Sequence, residues 1–60
     1  MNEKDAQKLI DRAKKLLKNG YKGTLEAQIY AITTLTAGSI AAFPEYAARY
    51  KKYIETAEKE

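Results

Sequence analysis

Sixty residues with no cysteine and no histidine leave room for one domain and remove most catalytic and metal chemistry at the outset. A chain this short buries only a modest core. Without thiols or imidazoles it has no disulfide framework, no zinc site of the usual nitrogen and sulfur kind, no imidazole base and no thiolate nucleophile. The net charge of +3 is concentrated in residues 1–19, where Lys4, Lys8, Arg12, Lys14, Lys15 and Lys18 outnumber Glu3, Asp5 and Asp11; residues 20–43 and 44–60 are each neutral.

The first helix is predicted over about 3–19. At the helical repeat, Ala6, Leu9, Ile10, Ala13, Leu16 and Leu17 fall within one arc, and the lysines, Arg12 and the acids fill the other side. Asn19-Gly20 supplies the stop, with Gly20 in the left-handed position and Tyr21 folding back on the last turn. The polar run Met1 to Asp5 opens straight into this helix with no apolar leader, so cytoplasmic expression is expected. After a loop over 21–23, Thr24 is the predicted N-cap of a second helix, and Glu26 suits the positive end of its dipole.

Two stop signals compete for the end of the second helix. A break at Gly38-Ser39 would place Pro44 in the fifth position of a new helix, where it removes a backbone bond and clashes with the preceding turn. The second helix is therefore predicted over about 25–42, with Gly38 inside it at a cost of about 1 kcal/mol relative to Ala. Pro44 then opens a third helix over about 44–58. Short connections make the expected fold all-α, a single up-down-up three-helix bundle, monomeric. Its expected core is Leu9, Ile10, Ala13, Leu16, Leu17, Leu25, Ile29, Ile32, Leu35, Ile40, Tyr50 and Ile54. Residues 27–44 carry no charge, but Gln28, Thr33, Thr34, Thr36, Gly38 and Ser39 make them too polar for membrane insertion.

Catalytic templates find no support. Ser39 is the one serine and has no histidine to activate it, the acids are scattered, and every lysine falls on a polar arc or in a loop. Gly20-Tyr21-Lys22-Gly23 is too short to cradle a phosphate. The expectation is a non-enzyme with no catalytic residues, cofactor, metal site or small-molecule substrate.

The informative contrast lies between the first and second helices. Leu25, Ile29, Ile32, Thr36, Ile40 and Phe43 share one side of the second helix. The opposite side reads Ala27, Tyr30, Thr34, Ala37, Gly38 and Ala41, with Glu26 as its one marginal charge. In the third helix Ala47, Tyr50, Ile54 and Ala57 form the inward strip, flanked by Tyr46, Tyr53 and Arg49. Tyrosine and arginine are enriched where proteins meet proteins. The candidate protein-binding residues are therefore Tyr30, Thr34, Ala37, Gly38, Ala41, Phe43, Tyr46, Arg49 and Tyr53, with a protein partner of unspecified identity. A second copy of the chain, or no partner at all (a plain helical scaffold), are the alternatives. A small basic nucleic-acid-binding bundle is a further one, although the excess charge sits on the first helix and no basic stripe accompanies base-reading side chains, so no specific nucleic acid is expected.

The run Glu3 to Gly20, the tail Ala57 to Glu60 and the absence of Cys, His, Trp and Val resemble computationally designed three-helix miniprotein binders. The resemblance implies one regular supporting helix beside one or two irregular helices whose outward residues were chosen for a target. Phe43 before Pro44 departs from the design habit of placing Ser or Asp at a cap.

Overall fold

The structure, a computed structural model, describes residues 1–60 and is all-helical: α1 (Glu3–Lys18), α2 (Glu26–Thr33), α3 (Ala37–Ala42) and α4 (Pro44–Lys59). Both ends of α1 are closed by local chemistry. Asn2 Oδ1 accepts the Asp5 N–H at 2.8 Å, satisfying one of the free donors of the first turn. At the other end the Tyr21 N–H reaches the Leu16 carbonyl and the Gly20 N–H the Leu17 carbonyl, both at 3.0 Å. This paired closure requires a residue with positive φ, and Gly20 supplies it at +83°.

The entrance to α2 differs from expectation. Thr24 does not cap the helix: its hydroxyl donates to Glu60 Oε1 at 2.7 Å. The Leu25 N–H donates instead to the Tyr21 hydroxyl at 3.0 Å, and Leu25 stands at the N-cap position with no side-chain bond of its own. A partner far along the chain has won the threonine from its local role.

The second difference is larger, since the predicted helix over 25–42 is two helices. Thr33 and Thr34 donate their hydroxyls back to the Tyr30 and Ala31 carbonyls, each at 2.7 Å. The N–H groups of Thr34 and Leu35 tighten onto Ala31 and Ile32, three residues back. Back-bonding by β-branched residues competes with continuation of the helix. Thr36 then turns extended (φ −98°, ψ 155°) and caps α3, its hydroxyl accepting the Ser39 N–H at 3.1 Å while Ser39 Oγ donates to the Thr36 carbonyl at 2.9 Å. Gly38 consequently lies in the first turn of a short helix rather than inside a long one. Pro44 is the first residue of α4, as predicted, because α3 stops at Ala42 and Phe43 alone joins the two.

The path of the chain follows from its contacts. Gly38 sits beside Glu3 at the start of α1, whereas Glu60 at the end of α4 bonds to Tyr21 just past the end of α1. The segment α2–α3 thus runs back along α1, and α4 runs forward again. Ile29, Ile32, Ile40 and Ile54 are completely enclosed, joined by Leu9, Ile10, Ala6, Ala13, Ala47 and Ala57. Each enclosed isoleucine contributes about 1.5–3 kcal/mol relative to exposure. Of the expected core, Leu16, Leu17, Leu25, Leu35 and Tyr50 pack against this cluster but stay partly open. No helix is long and apolar enough to cross a membrane.

Candidate interaction surface

Pro44 fixes the register of α4, and at helical spacing Tyr46, Arg49, Tyr50 and Tyr53 then share one flank. The Phe43 ring meets Tyr46 edge-on at 5.9 Å between centroids. Tyr46 stacks on Tyr50 at 6.4 Å, and the Arg49 guanidinium carbon lies 5.8 Å from the Tyr46 centroid. These are favourable quadrupole and cation–π geometries. Tyr50 and Tyr53 are half-buried; Phe43 is 57% exposed and Tyr46 47%. Leu35, Ser39 and Ile40 join the three rings around a depression of about 200 Å³. A wider cleft of about 600 Å³ is lined by Leu25 from the α2 entrance and by Ala48, Arg49, Lys52, Tyr53 and Thr56 from α4.

The nine residues predicted as one surface divide into three groups. Phe43, Tyr46, Arg49 and Tyr53 lie together on the α3–α4 corner and the α4 flank. Tyr30 and Thr34 are exposed on α2, but no other ring pairs with Tyr30, and the Thr34 hydroxyl is turned to its own backbone. Ala37, Gly38 and Ala41 do not continue the outer face of Tyr30 and Thr34. They are half-buried, with Ala37 and Ala41 packed against the core. A Cβ on Gly38 would stand 3.5 Å from the Glu3 carboxylate. The break at Thr36 changes the helical phase, so small residues expected to admit a partner instead admit α1.

Lys52, Ala48, Thr56 and Leu25 line the wider cleft beside Arg49 and Tyr53 and were not anticipated as site residues. The signal for the first three was present in the sequence, because positions 48, 49, 52, 53 and 56 form one helical stripe. Leu25 required the tertiary path.

Every perturbed titratable group lies away from this stripe. Arg12 bonds Glu58 through Nε at 3.1 Å and through a second nitrogen at 2.5 Å, forming the chain's one ion pair. That bond holds the Glu58 carboxyl below the usual carboxylate range and raises the Arg12 guanidinium. Glu60 is likewise lowered, by the Tyr21 and Thr24 hydroxyls. The Tyr21 phenol is raised, first by desolvation and then by its bond to Glu60. These contacts fasten the end of α4 to α1 and to the loop that follows it. No group of three acidic side chains is placed to hold a metal ion. Comparison with protein-family models, with curated proteins and with solved structures finds no match to this chain.

Proposed function

We propose that the chain is a small protein-binding module, a three-helix bundle with a broken middle helix, whose contact surface is the α3–α4 corner together with the α4 flank. One observation carries the reading. Phe43 occupies the N-cap of α4, makes no capping bond, and leaves 57% of its surface in water. A Ser or Asp there would satisfy a free donor of the first turn, worth about 0.5–2 kcal/mol. Phenylalanine gives up that cap and still leaves more than half of its surface in water. A locally unfavourable residue beside an ordered aromatic pair is the signature of a position kept for contact rather than folding.

The surroundings support the reading. Tyr46 and Arg49 already lie against each other in the free chain, a contact that lowers the entropy cost of binding. Helix α1, capped at both ends and regular throughout, supplies the rigid support that the resemblance to designed miniprotein binders implies. Tyr30 and Thr34 lie outside the proposed surface, and Ala37, Gly38 and Ala41 serve packing.

The test pairs stability with binding. Phe43→Ser should stay folded with a melting temperature close to that of the parent, because the cap it gains offsets the partial burial and ring contact it loses. On a proteome array it should lose the partner that the parent and a Lys8→Glu/Lys14→Glu control both retain. A parent that captures nothing, or capture that survives Phe43→Ser and Tyr46→Ala, rejects the proposal.

A further inference from the structure

The wide cleft differs from the aromatic corner in chemistry. Its lining combines apolar surface from Leu25, Ala48 and the Tyr53 ring with two cations, Arg49 and Lys52. Neither is neutralised by this chain, whose one ion pair is Arg12 with Glu58. Glu45 and Glu55 lie on the same helix but neither lines the cleft nor approaches either cation within ion-pairing distance. The Arg49 guanidinium also lies against the Tyr46 ring, and its planar fork of donors suits a carboxylate.

Two features decide the kind of occupant. The cleft is open, so it cannot enclose most of the surface of a small ligand in the way that small-molecule sites do; the occupant must bring its own bulk. Arg49 and Lys52 are also separated by about 4.5 Å along the helix axis, from the rise of 1.5 Å per residue. Acidic side chains three or four residues apart on a partner helix present carboxylates at that spacing.

We infer that the cleft between the α2 entrance and α4 receives an acidic amphipathic helix of a protein partner. An apolar side chain enters between Leu25 and Tyr53, and carboxylates one turn apart pair with Arg49 and Lys52. The inference rests on the binding-module reading and names the class of partner. It follows the groove mode of helix recognition, in which apolar contacts anchor and flanking charges select.

The experiment selects a display library of helical peptides, randomised along one face, on the whole folded chain at physiological salt. Enriched peptides should carry a bulky apolar residue flanked by Asp or Glu three or four positions apart. For an individual enriched peptide, R49E/K52E should weaken binding about tenfold or more, and the milder R49Q/K52Q by less. Selection repeated on R49E/K52E should yield basic peptides. Both positions are exposed, so the variants should remain as helical as the parent by circular dichroism. Binders without acidic bias, or binders lost with Phe43→Ser yet indifferent to R49E/K52E, overturn the inference and leave the module reading standing. No binders on the parent overturn the inference, and capture on the proteome array then decides the module reading on its own. A parent that sediments as a dimer and dissociates with R49E/K52E assigns the cleft to a second copy, again overturning the inference. So does an affinity for polyglutamate or polyphosphate equal to that for the selected peptides, since charge alone would then explain binding.

Discussion

Replacing Thr36 with alanine tests whether the middle of the chain is one helix or two, because a cap and a helix interior respond with opposite signs. The Thr36 side chain is exposed, so alanine loses no burial. What it loses is the acceptor for the Ser39 N–H at 3.1 Å. Removing such a cap costs about 1 kcal/mol, or roughly 4–8 °C in midpoint for a domain near this size. In an uninterrupted helix over 25–42 the same change would relieve a β-branched residue and stabilise by about 0.5–0.7 kcal/mol. Thr36→Asp separates the cases again. It keeps an acceptor and adds a negative charge at the start of α3, so it should match or exceed the parent, whereas in a helix interior it should fall below alanine. Gly38→Ala serves as calibration: its Cβ meets only the Glu3 carboxylate at 3.5 Å, an ordinary contact, and the gain should be about 0.4–1 kcal/mol. Thermal and urea unfolding followed by circular dichroism report all three. An alanine variant more stable than the parent, with aspartate the least stable, would refute the capped break.

The remaining predictions concern the fastenings and the core. Gly23→Ala should lower the melting temperature and break the Tyr21–Glu60 bond, because a Cβ there would collide with the Glu60 carboxylate and with the Tyr21 hydroxyl and ring; thermal unfolding compared with a Tyr21→Phe control, which lacks that bond already, checks it. Stability should decline at both extremes of pH. Glu58 and Glu60 are lowered in the fold, so their contribution is full above the ordinary carboxylate value near 4 and is lost as pH falls toward their folded values. Tyr21 is raised in the fold, so its contribution is full below its ordinary value near 10 and is lost as pH climbs through the folded value. Glu58→Gln should flatten part of the acid limb, and urea midpoints across pH measure both. Ile32→Asp places an unpaired charge where the side chain is wholly enclosed, at a cost of several kcal/mol comparable to the entire stability of so small a domain; a cooperative thermal transition matching that of the parent would contradict the assigned core.

Legibility in the sequence tracked how local each determinant was. Helix α1 was readable almost residue by residue, since its periodic apolar arc and the Asn19-Gly20 stop act within a few positions. Pro44 was equally clear because its ring forbids an interior position. The errors fell where local signals were balanced and a distant partner decided. Thr24 has the chemistry of a cap, but Glu60, 36 positions away, takes its hydroxyl. Thr33, Thr34 and Thr36 all fall inside the predicted helix over 25–42, Thr36 on its core-facing side. Their hydroxyls act together, two ending α2 and one beginning α3, and propensities summed one residue at a time do not register that cooperation.

The same break explains why the candidate site was only half legible. A continuous second helix would have put Tyr30, Thr34, Ala37, Gly38 and Ala41 on one outer face and left Phe43 on the core side. With the break, α3 turns its small residues toward α1, Ile40 alone among its residues is fully buried, and Phe43 emerges at the corner beside Tyr46. The α4 flank needed no such correction, because Pro44 fixes its phase independently of what precedes it. The α4 flank is carried by one continuous helix, so Tyr46, Arg49, Lys52 and Tyr53 keep their spacing whether or not the turn at Thr36 flexes. Loosening that turn with Thr36→Ala should therefore weaken contacts that depend on Phe43 and spare those made by Arg49 and Lys52.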